Sequence, residues 1–342
     1  MKIDARLTVE GEHALKTDRI SAWAEDLGFD GLWTGENKHD AFLPLAVAAS
    51  ATSRIELGTA VAIAFSRSPM VTAQISWDLQ RRSAGRFLLG LGTQVKPHIE
   101  RRFSMPWSSP AARLRDYVGA LRAIWQSFQS GDRLRYEGEF YRHTLLTPVF
   151  DPGPIEHPQI PIWVAGVNAP LARMAGAACD GFHIHPFHST AYLDSVLLPA
   201  IRAGSVEAGR DDRSVTTATS VFVITGENGD ERDRRRQTVR SRIAFYASTP
   251  TYRSVLDVHG WSGVGEALTE LARAGAWDEM AARITDEMLD AFAIEADPQD
   301  VGTRVRERYD GIVDRVALFD FLEPGQSDDF WRELVRTAGT RS

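Results

Sequence analysis

Short β-like runs alternate with amphipathic helix-like runs eight times along this 342-residue chain, and that rhythm limits the folds open to it. The β-like runs fall at 3–10, 29–34, 54–63, 86–93, 160–167, 180–187, 214–225 and 313–321. Strands separated by helices pair in parallel, because a right-handed crossover is the usual way to connect parallel neighbours. Eight such units predict a closed (β/α)8 TIM barrel. The rival is an open doubly wound sheet, which wants a glycine-rich dinucleotide turn after its first strand. No GxGxxG occurs there, and no P-loop occurs anywhere. Residues 1–342 read as one domain, broken by insertion segments at 132–158 after strand 4 and 249–295 after strand 7. A chain this long hides roughly three quarters of its extended surface, so a large core is expected.

The helical runs carry their own punctuation. Leu15, Ile20, Trp23, Ala24 and Leu27 share one face, and Gly28 follows as a C-cap. Pro69 suits the first turn of a helix. Residues 111–131 are apolar at Leu114, Tyr117, Val118, Leu121, Ile124 and Trp125. Asn168 stands at an N-cap position, with Pro170 in the first turn after it. RYEGEFYRH in the first insertion predicts a small hairpin, and the second insertion reads as irregular with short helices.

Composition excludes several classes. There is no run of about 18 apolar residues to span a membrane, and no leader is visible in MKIDARLTVEGEH. A net charge of −7 argues against a general nucleic-acid surface. The one basic run, Arg232, Arg234, Arg235, Arg236, Arg240 and Arg242, is interleaved with Glu231 and Asp233 and reads as a solvated helix face. Cys179 is the sole cysteine, which fits a reducing, cytoplasmic setting and a packed structural role. The expected partner is a small-molecule substrate, with neither nucleic acid nor membrane.

A barrel of this kind places its site at the C-terminal ends of the strands. That nominates 34–42, 60–68, 92–103, 165–169, 183–190, 224–228, 319–325 and the second insertion. Gly90 and Gly92 in LLGLGT mark either a close ligand approach or tight packing at the rim. AGVNAP leaves free backbone N–H groups at a helix start, which suits a phosphate. His183, His185 and His188 allow three readings: a metal site with His39, His98 and Asp320, loop hydrogen bonds, or cofactor and substrate contacts. Thr34 to Asp40 is unusually polar, fitting either proton transfer or a solvated capped loop. Phe245, Tyr246, Tyr252, Arg253, His259 and Trp261 are equally suited to lining a pocket and to building a core for the insertion. No GxSxG nucleophile motif occurs.

SAGRFLLGLGT at 83–93 resembles a hallmark of the luciferase-like oxidoreductases. GFDGLWTGE, RIELGTAVAIAFSRSPMVTAQ, the FYRHTLLTPVF region and IPIWVAGVN through DGFHIHPF follow in the family's order. The resemblance covers nearly the whole chain. It is nearest to the branch using coenzyme F420, with the FMN-dependent monooxygenases as the alternative. It implies a ring lying across the barrel mouth, a third-strand bulge with a non-prolyl cis peptide at Ala60–Val61, and cofactor contacts from Thr93, Gln94 and Lys96. It further implies a phosphate-bearing tail at Ala165, Gly166, Val167 and Asn168, with the His185–His188 loop closing over it. Substrate contacts are expected from Tyr246, Tyr252, Arg253 and His259. Sugar-phosphate dehydrogenases of the family place a histidine directly after an acidic residue following the second strand. Here that step reads Glu36-Asn37, with His39 two residues on, and Val95 stands where their second acidic residue would be. His39, Glu36 and Asn37 are therefore the catalytic candidates, but that alcohol-oxidation mechanism does not carry over. Family members are often homodimers or larger assemblies, and Trp107, Trp125 and Phe128 suit either a partner or the core. A metal-dependent hydrolase built on His183 and His185, and a non-catalytic flavin-binding barrel, are the readings from other classes.

Overall fold

The computed structural model describes residues 1–7, 16–320 and 327–339. Eight parallel strands close on themselves: β1 Lys2–Arg6, β2 Gly31–Thr34, β3 Glu56–Thr59, β4 Phe87–Gly92, β5 Ile162–Gly166, β6 Gly181–Ile184, β7 Thr216–Ile224 and β8 Arg315–Leu318. Each pairs with its neighbour in sequence order, and β8 returns to β1 in the register Ile3↔Val316. The fold is the (β/α)8 TIM barrel that the alternation dictates. Leu15, residues 8–10 of the first β-like run, and residue 321 of the last lie outside the described residues.

Helices cover the outside: α1 Thr17–Leu27, α2 Phe42–Ala51, α3 Pro69–Arg82, α4 Pro110–Ser130, α5 Ala169–Ala178, α6 Leu198–Glu207, α7 Gly229–Ala247, α8 Val301–Tyr309 and α9 Asp328–Ala338. Their ends are set by the residues the sequence supplies. Gly28 closes α1 in the left-handed region at φ 92°, where its N–H reaches the Glu25 carbonyl. Ser68 caps α3 ahead of Pro69 by accepting from the Val71 N–H. Ile20, Ala24 and Leu27 of α1 are buried. Trp125 and Phe128 of α4 are also core residues, and Trp107 packs edge-on against Phe65, so all three serve the interior of the chain. Cys179 is fully buried at the end of α5, where burial pushes its thiol up to about 12 and leaves it inert.

The first insertion holds the expected hairpin, Tyr136–Glu137 against Arg142–His143. Asp116 of α4 anchors it, accepting from the Tyr136 hydroxyl and from the Phe140 and Tyr141 N–H groups. The second insertion holds helices, as read, at Arg253–Asp257, Ser262–Ala274, Trp277–Met280 and Asp286–Phe292. It ends in a strand the sequence reading did not give, Ala293–Glu295, which pairs in parallel with Phe222–Ile224 of β7, and α8 follows it. The arginine run is also more than a solvated face. Arg232, Arg236 and Arg240 pair with Asp297, Glu295 and Asp286, while Arg235 and Arg242 share Asp320. The carboxylates come from distant sequence, so a reading of α7 alone could not place them.

Candidate active site

The third strand breaks at the barrel mouth. β3 ends at Thr59, the Ala60–Val61 peptide is cis, and pairing with β4 resumes at Ala62↔Leu91 and Ile63↔Gly92. Glu36, just beyond β2, holds this bulge. Its backbone N–H donates to the Val61 carbonyl at 3.1 Å, and its carboxylate accepts the Ile63 N–H at 2.7 Å. Both carboxylate oxygens also accept from Arg67, at 2.7 Å each. This is the bidentate fork that arginine favours. Asn37 and His39 are exposed on the same loop, and the Asn37 carbonyl accepts from Arg102.

Beneath the bulge the barrel is plugged. Arg315 donates to both oxygens of Asp4, at 2.8 and 2.7 Å, and pairs with Glu56. The Trp33 indole also donates to Asp4, at 2.8 Å. Above this ionic floor, His183 sits between the rings of Trp33 and Trp163, with centroids 4.7 and 4.9 Å away. Ala60 packs on the cluster of Trp33, Leu88, Trp163 and Ala218. The bulge therefore rests on a stack of flat side chains. Burial, reinforced by Arg315, pushes His183 down to about 3, so it is a neutral ring at working pH.

Two glycines of β4 let the bulge approach. A Cβ on Gly90 would stand 1.8 Å from the Thr59 carbonyl oxygen, and one on Gly92 would stand 2.5 Å from the Val61 Cγ2. Both are thus fixed by packing, Gly90 against the Thr59 backbone and Gly92 against the Val61 side chain of the bulge itself. Thr93 and Gln94 continue the rim half-buried, with Gln94 at φ 59°. Lys96 opens a short helix, exposed and 3.8 Å from Glu100. Next along the rim come Ala165 and Gly166 at the end of β5. Asn168 then caps α5, accepting from the Leu171 N–H, with Pro170 in the first turn. Val167 is buried, and its carbonyl accepts from the Tyr192 hydroxyl at 2.8 Å.

The β6 loop completes the arc. The Phe187 N–H donates to the His185 Nδ1 at 3.1 Å. The His185 ring lies 4.7 Å from Tyr246 and 4.8 Å from Tyr252. His188 is buried, with one ring nitrogen on the His185 carbonyl and the other on the Tyr309 hydroxyl. Burial pushes His185 down to about 3 and His188 down to about 4. The remaining insertion candidates turn the other way. Arg253 donates to Ser262 and Thr269, and His259 bonds Ser189 at 2.7 Å and stacks on Trp261. Arg253 holds the insertion together and His259 ties it to Ser189 beside the β6 loop, while Tyr246 and Tyr252 face the His185 ring. No group of three metal-ligating side chains converges among the described residues. His183 is enclosed by tryptophans and His185 by tyrosines.

The profile of the family described as luciferase-like monooxygenase matches residues 2–315. The chain belongs to the luciferase-like monooxygenase family. This luciferase-like chain is 47% identical over 289 residues to an uncharacterized protein of Mycobacterium tuberculosis, covering 84% of this chain and 85% of that one. It is 30% identical over 293 residues to the 5,10-methylenetetrahydromethanopterin reductase of Archaeoglobus fulgidus, covering 83% of each. Its fold superposes on the coenzyme F420 dependent tetrahydromethanopterin reductase of Methanopyrus kandleri with a TM-score of 0.78. That match has 20% identity and covers 98% and 97% of the two chains. Luciferase-like proteins are oxidoreductases, and this chain is one of them.

In this luciferase-like barrel the bulge, Thr93–Gln94, Ala165–Asn168 and His185 form one continuous arc of neighbouring strand ends. Sequence reasoning did not find Arg67, the Trp33–His183–Trp163 stack, Tyr192 or Tyr309. The ionic floor left a trace: Asp4 in IDAR, Glu56 in RIEL and Arg315 in DRVAL are charged residues within apolar strands. That pattern signals ion pairs in a barrel interior.

Proposed function

We propose that this chain is an F420-dependent oxidoreductase that transfers hydride to or from a small organic molecule. One observation carries the reading. The Ala60–Val61 bulge, with Gly92 beside it, and the capped N-terminus of α5 form the first and second parts of one rim. A flat ring fits the first part, and a phosphate fits the second. The F420-dependent reductase that shares the fold supports the same assignment.

Bound there, F420 would supply a carbon-centred hydride donor or acceptor that does not activate oxygen. The protein contributes position and exclusion of water. Ala60 and Val61 would back the ring, held in place by Glu36 and Arg67. Thr93, Gln94 and Lys96 would flank it. Gly166, Val167 and Asn168 would take the phosphate, with the His185 loop above. Glu36 is committed to Arg67 and the Ile63 N–H, so it positions the bulge. His39, exposed on the same loop, is the group placed to exchange a proton at the mouth.

The test is turnover. Protein loaded with reduced F420 should reoxidise it when supplied with a substrate under anaerobic conditions, and should consume no oxygen without one. Substrate-linked oxygen uptake with reduced FMN, and no F420-linked turnover, would replace the proposal with a monooxygenase.

A further inference from the structure

A second recess lies outside the arc. Thr238, Ser241, Arg242, Phe245 and Tyr246 recur at helical spacing on α7, and together with Phe319 beyond β8 they line an open, shallow recess of about 440 Å³. This volume lies in the range of small-molecule pockets. Its walls are flat and apolar on three sides, from Phe245, Tyr246 and Phe319. Phe245 is 55% exposed, and Trp277, 6.5 Å away ring to ring, is 56% exposed.

The fourth side is cationic. The Arg242 guanidinium stands 5.0 Å from the Phe319 ring centroid, and the Arg6 guanidinium stands 4.7 Å from it. Arg6 is held by its bond to the Phe319 carbonyl. Arg242 and Arg235 divide one carboxylate, Asp320, at 3.1 and 3.3 Å. Arg242 spends one N–H there, and a guanidinium has five. Two guanidinium groups flanking one ring repel each other. Burial, the larger cause, and Arg242 both pull Arg6 down, to about 10, against the opposing Tyr246 and Asp320. Tyr246 is a wall of the recess and also touches His185, so the recess opens next to the cofactor arc.

We propose that this recess binds an anionic planar aromatic, a carboxylate carried on a conjugated ring system, as the part of the substrate remote from hydride transfer. Arg242 would take the carboxylate through its planar fork, and Phe245, Tyr246 and Phe319 would take the ring faces. The proposal names a substrate class for the oxidoreductase reading and rests on that reading.

Calorimetric titration of the full chain with 2-naphthoate and with 2-naphthamide tests it, because the two differ in charge and hardly in shape. The expected result is that naphthoate binds about tenfold tighter or better, a difference of ~1.4 kcal/mol. Arg242→Gln should abolish the preference and leave naphthamide binding within about twofold, while Arg242→Lys should keep part of it. Equal affinity for the two ligands, no naphthoate binding, or a preference that survives in R242Q would overturn the proposal. The comparison in the unaltered chain decides alone if R242Q does not fold. A parallel F420 titration separates the two readings. Binding of F420 without naphthoate removes only the anion site, and binding of naphthoate without F420 removes only the cofactor assignment.

Discussion

Glu36 and Arg67 face each other through two hydrogen bonds of 2.7 Å, and the same carboxylate receives the Ile63 N–H. One residue of the β2 loop thereby fixes the third-strand bulge, through its side chain at Ile63 and through its own N–H at Val61. Glu36→Gln keeps the shape but breaks the charge pairing of a nearly enclosed arginine. Charged hydrogen bonds of this kind contribute ~1.5–3 kcal/mol each. We expect urea denaturation to show a loss of about 2–3 kcal/mol. We also expect F420 affinity to fall while the pH profile of turnover keeps its shape. A lost pH limb would instead make Glu36 a proton-transfer group.

Gly90 and Gly92 separate packing from binding. At Gly90 an added methyl meets the Thr59 backbone oxygen at 1.8 Å, so Gly90→Ala should give little folded protein. At Gly92 it meets only the Val61 side chain. Gly92→Ala should displace that side chain, destabilise the fold less than Gly90→Ala does, and in the folded protein bind F420 about tenfold more weakly, ~1.4 kcal/mol. Unchanged F420 affinity in folded G92A would move the ring away from the bulge.

The outline of the fold was legible because alternation, caps and breakers are local. Asn168 as an N-cap, Gly28 as a C-cap and the hairpin at RYEGEFYRH all depend on residues within one turn of each other. The parts of the site that stayed hidden depend on partners far apart in sequence. Glu36 read as an acid or base because Arg67 lies beyond a whole strand. His188 read as a cofactor contact because the Tyr309 hydroxyl that occupies its ring belongs to α8, which the sequence did not reveal. Arg253 and His259 read as substrate groups because Ser262, Thr269 and Ser189 become their neighbours only when the insertion folds.

The ionic floor makes a separable prediction. Arg315 and Asp4 are both almost fully buried, so removing one leaves an uncompensated charge. Arg315→Met should cost about 3–5 kcal/mol in urea denaturation. The double change Asp4→Leu with Arg315→Met should recover much of that loss, since apolar replacements of buried pairs are often neutral or stabilising. Additive losses would mean that the pair is not an isolated unit.

One buried histidine, His188, and two half-buried ones, His183 and His185, set a pH dependence. His183 and His185 sit at about 3 and His188 at about 4 in the folded chain, against about 6.5 unfolded. Stability is intact above about pH 6.5. It falls as the pH drops below that value, because the unfolded chain takes up protons that the native state refuses. Each group contributes up to ~1.4 kcal/mol per pH unit. Urea midpoints measured from pH 7.5 down to about 5, above the carboxylate range, should decline. His188→Gln should flatten that decline by one group's share, whatever it does to stability at pH 7.5. A slope unchanged by H188Q would show that His188 is protonated in the native state.

The central claim is that the arc from Ala60–Val61 to Asn168 is an F420 site. Fluorescence titration of the cofactor-free chain with F420 and with FMN, in oxidised and reduced forms, tests it most directly. The account predicts micromolar or tighter binding of F420, with FMN weaker by about tenfold or more, ~1.4 kcal/mol. Preferential binding of FMN, or binding of neither, would contradict it.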